Sequence, residues 1–165
     1  MRSASIVTLL ASCLLVASHS VASQQIDYLS GKWTYRSFAN DPGLVGGDEK
    51  KALQLIFGEG SIQLSLQDDD KITGVIDFGP SYSLDISGHL QRHAGAVPYL
   101  AVMTGTGRKG TGTEGWIYEY KAFPAPVWPK GVDQRPALVG SVFRTVPHNG
   151  APAGVTASFI ILRSQ

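Results

Sequence analysis

Apolar and polar residues alternate along most of this chain, so that one face of each segment is greasy and the other is wet. In residues 61–66, Ile62, Leu64 and Leu66 point one way while Ser61, Gln63 and Ser65 point the other, as in a strand with one buried face. Residues 83–93 repeat the pattern. Leu84, Ile86 and Leu90 oppose Ser83, Asp85, Ser87, His89, Gln91 and His93, and Gly88 sits where a barrel strand must bend. Segments 31–38, 52–57, 71–78, 99–106, 116–123, 137–146 and 155–163 bring the set to nine strand-like stretches, each ended by Gly, Pro, Asn or Asp. Gly58-Glu59-Gly60 and Asp68-Asp69-Asp70 read as the first turns of a meander. The pattern predicts an all-β fold, an antiparallel up-and-down β-barrel of about eight strands with one short or broken piece. Closure removes the sheet edges that would otherwise pair with other chains. An eight-stranded barrel has an interior just wide enough to be filled by side chains or to hold one small ligand.

The first residues stand apart from this pattern. Arg2 gives a positive start, residues 6–17 are mostly apolar, and Val21-Ala22-Ser23 has the small residues of a cleavage site. Residues 1–23 are therefore expected to be a secretory signal, too short in its apolar run to span a bilayer, and residues 24–165 a single barrel domain that is secreted or periplasmic. A competing reading takes Leu10-Ala11-Ser12-Cys13 as a lipoprotein box with Cys13 lipidated. With ordinary cleavage Cys13 leaves with the signal, and the mature chain is free of cysteine.

Charge narrows the partners. The chain has 14 Lys and Arg against 13 Asp and Glu, and loss of Arg2 leaves 13 against 13 with no sustained run of one sign. That balance argues against nucleic acid and against an anionic membrane surface, and no second hydrophobic span follows the signal. A small molecule held in the barrel is the expected partner. The candidate walls are Trp33 and Tyr35 on one face of the first strand and the ladder Trp116, Tyr118 and Tyr120 on another. Large rings with a hydroxyl or N–H at one end suit a flat apolar ligand with a polar edge; the competing reading is plain core packing, since aromatic residues favour strands. Residues 123–136 carry Pro124, Pro126, Pro129 and Pro136 around Trp128, a stiff excursion between strands. Trp128 is expected to cap the barrel mouth, to reach into a neighbouring subunit of a homo-oligomer, or to pack on its own prolines.

Leu29-Ser30-Gly31-Lys32-Trp33-Thr34 resembles the first strand of avidin-like and lipocalin barrels, the calycin-type folds, in which a Gly-x-Trp places the indole across the closed end. Lys71-Ile72-Thr73-Gly74 and Leu138-Val139-Gly140 with Phe143 are similar to further avidin-side motifs, in the right order. The resemblance implies a ligand-binding barrel in which an Arg from a late strand, Arg144 or Arg163, lies over Trp33 by cation–π stacking. It also implies that biotin is disfavoured. The biotin binders place an Asn where this chain has Tyr35 and a carboxylate or amide where it has Val142, so polar partners for the biotin ring are missing. Residues 155–163 extend beyond the usual end of that family.

Other motifs carry less. Gly105-Thr106-Gly107-Arg108-Lys109-Gly110 has the spacing of a dinucleotide fingerprint, but no helix follows to hold phosphates, so no such cofactor is expected; Arg108 and Lys109 are candidates to meet an anionic group at the mouth. Asp68-Asp69-Asp70 lacks the spaced ligands of a calcium loop. His89 and His93 would lie about 13 Å apart along one strand, too far to share a metal. Ser87, His89 and Asp85 are in the wrong order for a triad. His148, in Pro147-His148-Asn149-Gly150, reads as a solvated turn residue. Beside the ligand-binding barrel stand two alternatives: a barrel enzyme of isomerase or cyclase type in which a Tyr or Glu119 moves a proton, and a filled barrel acting as an interaction module through its Gly- and Pro-rich loops.

Overall fold

The computed structural model describes residues 29–93, 99–125 and 135–164, and in them the chain closes into one antiparallel barrel. Its strands are β1 (Gly31–Ala39), β2 (Ile56–Leu66), β3 (Lys71–Asp77), β4 (Ser83–Arg92), β5 (Tyr99–Gly107), β6 (Ile117–Pro124), β7 (Ala137–Arg144) and β8 (Thr156–Arg163). Each strand pairs with the next, and β8 returns to β1 with Trp33 opposite Arg163 and Ala39 opposite Ala157. The segment 155–163 is thus the strand that closes the barrel. A short helix α1 (Pro42–Val45) and a 3-10 turn (Glu49–Gln54) lie between β1 and β2. Among the described residues no helix is long and apolar enough to cross a membrane.

The nine expected segments become eight strands because Gly58-Glu59-Gly60 is not a turn. It lies inside β2, with Gly60 opposite Tyr35 and Gly58 opposite Ser37. Residues 49–54, expected in part as strand, form the 3-10 turn instead, capped by the Asp48 carboxylate accepting from the Lys50 N–H at 3.1 Å. Leu53 there is 73% exposed. The glycines answer a demand for space rather than for a bend: a Cβ on Gly60 would stand 2.1 Å from the Asp77 carbonyl oxygen, and one on Gly58 only 3.3 Å from the Ser37 Oγ.

Inward positions follow the alternation read from the sequence. Ile62, Leu64, Leu84, Ile86 and Leu90 are buried, while His89 and His93 are exposed. The end where β1 begins is filled solid. Trp33 is fully buried, its indole N–H donates to the Leu29 carbonyl at 3.0 Å, and the Arg163 guanidinium lies over the ring at 5.6 Å. Arg163, not Arg144, therefore takes the stacking position over Trp33. Leu64, Ile72, Tyr99, Leu138 and Ile161 join it in the buried core, each such side chain contributing about 1.5–3 kcal/mol by leaving water. Polar side chains dominate much of the outer surface, where Arg36–Glu59, Arg92–Asp70 and Arg108–Asp85 pair across strands. Exposed pairs of this kind add about 0–1 kcal/mol each. They mark the outer face rather than hold the barrel.

Candidate functional site

Two changes along β2 hollow the other end of the barrel. Below, Ile62 and Leu64 fill the interior; above, the inward positions are Gly58 and Gly60, which bring no side chain. The space left is a cavity of about 220 Å³, open to one side. Tyr35 and Tyr120 form its floor with ring centres 6.5 Å apart, both backed by Phe159 at 5.8 Å. Phe78 meets Tyr35 edge-on at 5.9 Å, and Phe57 meets Tyr118 at 6.2 Å, so the walls are rings braced against rings. Trp116 and Tyr82, 6.2 Å apart, stand at the rim. Ser37 faces the cavity and donates to the Gly58 carbonyl at 3.2 Å.

The sequence-predicted residues are brought together unevenly. Tyr35, Tyr118 and Tyr120 point inward and line the cavity, and Trp116, placed just before β6, joins them at the rim. Trp33 lies deeper, sealed in the filled end, and is no part of the lining. Trp128 lies outside the described residues, as do residues 1–23, expected to be a signal, with Cys13. Arg108 is not free to greet an anion at the mouth, since it forks onto Asp85 on the outer surface through Nε at 3.1 Å and through Nη2. Glu119 points outward and does not reach the cavity.

Sequence reasoning missed Phe57, Phe78 and Tyr82, which sit at strand ends and in a turn where no alternation marks a facing side. It also missed His148. The Asn149-Gly150 pair, at φ 50° and 73°, forms a two-residue hairpin turn flanked by reciprocal His148–Ala151 backbone bonds of 3.2 and 3.0 Å. That turn folds the imidazole back onto the rim, where it stacks on Trp116 at 4.0 Å and 14° and meets Tyr118 edge-on at 5.3 Å. His148 is a packed rim residue rather than a solvated one. The signal was present in the Asn-Gly pair, which marks a tight hairpin whose flanking residues are paired.

Arg144 is the inward residue next to Tyr118, its partner in the β6–β7 register. Its guanidinium lies over the Phe57 ring at 5.6 Å and the Tyr118 ring at 5.9 Å, and donates to the Tyr118 hydroxyl and the Pro152 carbonyl, each at 3.4 Å.

Electrostatically the cavity is a set of neutral hydroxyls beside one cation. Burial pushes the Tyr35 phenol up to about 12, against the opposing hydrogen bond from Ser37. Burial also holds Tyr120 well above the usual phenol value and raises Tyr118, where Arg144 pulls the other way. The His148 imidazole is pushed below its ordinary value by burial, with the Arg144 charge adding to the effect, so it is neutral at pH 7. The site can offer hydrogen bonds and flat apolar walls, and the acidic residue of its lining, Glu59, has its carboxylate engaged by Arg36 at 2.5 Å. Comparison with protein-family models and with curated protein sequences finds no match, so fold and cavity carry the functional argument.

Proposed function

We propose that this protein is a calycin-like binding barrel that holds a small, flat aromatic molecule in the cavity between Tyr35, Phe78 and Tyr118. The observation that carries this reading is the contrast between the two ends of one barrel: one packed solid, the other walled by interlocked rings around about 220 Å³. At a packing density of about 0.74 such a space takes about 160 Å³ of ligand atoms, a molecule of one or two rings. That is smaller than the pockets of about 300–1,000 Å³ that hold drug-sized ligands. The Tyr35, Tyr118 and Tyr120 hydroxyls supply the polar edge. Biotin remains disfavoured, because the positions that would serve its ring hold the buried side chains of Tyr35 and Val142. Binding is preferred to catalysis because the phenols are held neutral well above pH 7 and Glu119 faces solvent.

Trp fluorescence tests the reading. A bound aromatic molecule quenches or shifts Trp116 at the rim, an effect that disappears in Trp116→Phe and survives in Trp33→Phe. Survival of the whole signal in Trp116→Phe would place the ligand elsewhere. The resemblance of residues 1–23 to a secretory signal supports a secreted or periplasmic compartment as part of this proposal, and the N-terminal residue of the exported product tests it.

A further inference from the structure

We propose that His148 is an acid-sensitive latch on the mouth of the barrel. As a neutral imidazole it pins the hairpin of residues 146–153 to the rim, and once protonated it leaves Trp116 and takes the hairpin tip with it. Such a latch is a property of the fold and acts whatever the cavity holds. Its basis is the way the hairpin is attached. Arg144 donates to the Val155 carbonyl and accepts from the Gly154 N–H, each at 2.9 Å, and Thr145 donates to the Ile117 carbonyl at 3.0 Å. Beyond these, the backbone bonds of the hairpin among the described residues are the two between His148 and Ala151, which close the turn on itself. The ring contacts and the hydrogen bond that join the tip to the barrel run through side chains. His148 stacks on Trp116 at 4.0 Å and meets Tyr118 edge-on at 5.3 Å, and the Arg144 guanidinium donates to the Pro152 carbonyl at 3.4 Å. The tip can therefore swing out without breaking a strand pair, as a local opening.

The imidazole carries the trigger. Both its nitrogens are enclosed, and neither has a hydrogen-bond partner among the described residues. A neutral ring leaves one N–H unpaired, whereas a protonated ring would bury two N–H donors and a positive charge with nothing to accept from them. The Trp116 face attracts a cation but offers no acceptor to either nitrogen at the ring edge. The titratable and charged groups that face the ring are the Tyr118 phenol on β6 and the Arg144 guanidinium at the end of β7, whose charge repels a second cation. Residues 146–155 hold no other titratable side chain, and the ion pairs among the described residues, Arg36–Glu59, Arg92–Asp70 and Arg108–Asp85, leave no carboxylate on the imidazole. Burial, with the Arg144 charge adding to it, keeps the ring below its ordinary 6.5. The closed hairpin is therefore favoured in full above pH 6.5 and loses up to about tenfold per pH unit below it, until the enclosed ring itself takes the proton.

NMR of the isotope-labelled whole protein, taken from about pH 7 to about pH 4.5, tests the latch. The His148 ring nitrogens report protonation, and Overhauser contacts between the His148 and Trp116 rings report the closed rim. As His148 takes its second proton, those contacts should fade severalfold, and the Trp116 indole N–H, assigned by its absence in Trp116→Phe, should shift with the same midpoint. The amides of β2 and β3 should hold their positions throughout. In His148→Phe, an uncharged ring at a partly exposed turn position, the contacts and the Trp116 signal should persist across the range. A ring that takes its second proton with its Trp116 contacts intact would overturn the proposal, as would one that stays neutral down to about pH 4.5. The same loss in His148→Phe, or a loss shared by the β2 and β3 amides, would show that acid acts elsewhere and would overturn it too.

Discussion

Tyr35 touches Phe78, Tyr120 and Phe159 while closing the floor of the cavity. Its phenol is held neutral by burial, with a folded-state value of about 12 against the ordinary 10.0. The sign of the effect on stability follows directly. A group whose value is raised by folding contributes stability that is complete below pH 10 and is lost as pH climbs through about 12. The loss amounts to about 2–3 kcal/mol for this one group, and Tyr120, raised for the same reason, adds to it. Denaturant unfolding should therefore weaken steeply between pH 10 and 12, with phenolate absorbance rising in two phases, exposed tyrosines first and the floor tyrosines only as the barrel opens. A single phase near pH 10 with the barrel intact would show that Tyr35 is not enclosed. At this scale the aromatic identities were legible in the sequence, but their roles were not all so. Trp33 and Tyr35 share one strand face, yet the first is sealed and the second lines a cavity. What separates them is the height at which glycines replace Ile and Leu on the neighbouring strand.

Those glycines belong to the scale of the element. Read locally, Gly58-Glu59-Gly60 is a turn, because two glycines two residues apart usually punctuate a strand. The structure spends them inside β2, where Gly60 lets the Asp77 backbone approach and Gly58 leaves the cavity open. The alternation of β2, β4 and β6 was readable because it is a local property of one strand. The close approach of β2 and β3 was not, because it depends on pairing Ser61 with Asp77 across the turn. Two substitutions separate the glycines' duties. Gly60→Ala forces a Cβ against a carbonyl and should cost about 1–3 kcal/mol in urea unfolding, whereas Gly110→Ala, in an open turn at φ 76°, should cost about 1–2 kcal/mol from backbone conformation alone. Gly58→Val should fill the cavity, lowering affinity for an aromatic probe at least tenfold while the barrel still folds, and unchanged affinity would mean that the ligand lies elsewhere. The Asn149-Gly150 hairpin is the counterpart at the other side of the mouth. It was readable as a turn, but its effect of laying His148 on Trp116 depends on where β7 and β8 stand relative to β6.

As a whole molecule, the barrel is asymmetric along its axis. The Trp33 end gains its stability from dense packing under Arg163, and the Trp116 end gives up packing to keep a space. Eight strands set a narrow interior, so filling one half and emptying the other is decided by a handful of inward positions. The closed antiparallel topology was legible from the strand count and the turn residues. Which end is hollow was not, because that follows from the stagger of all eight strands together. The central claim is that a flat aromatic molecule enters the Trp116 end. Anomalous diffraction from crystals equilibrated with para-bromophenol tests it most directly. The account predicts one bromine peak inside the mouth, between Tyr35, Phe78 and Tyr118, with the Trp33 end unchanged. A cavity closed by Phe57 and Phe78 with no bromine inside would contradict it.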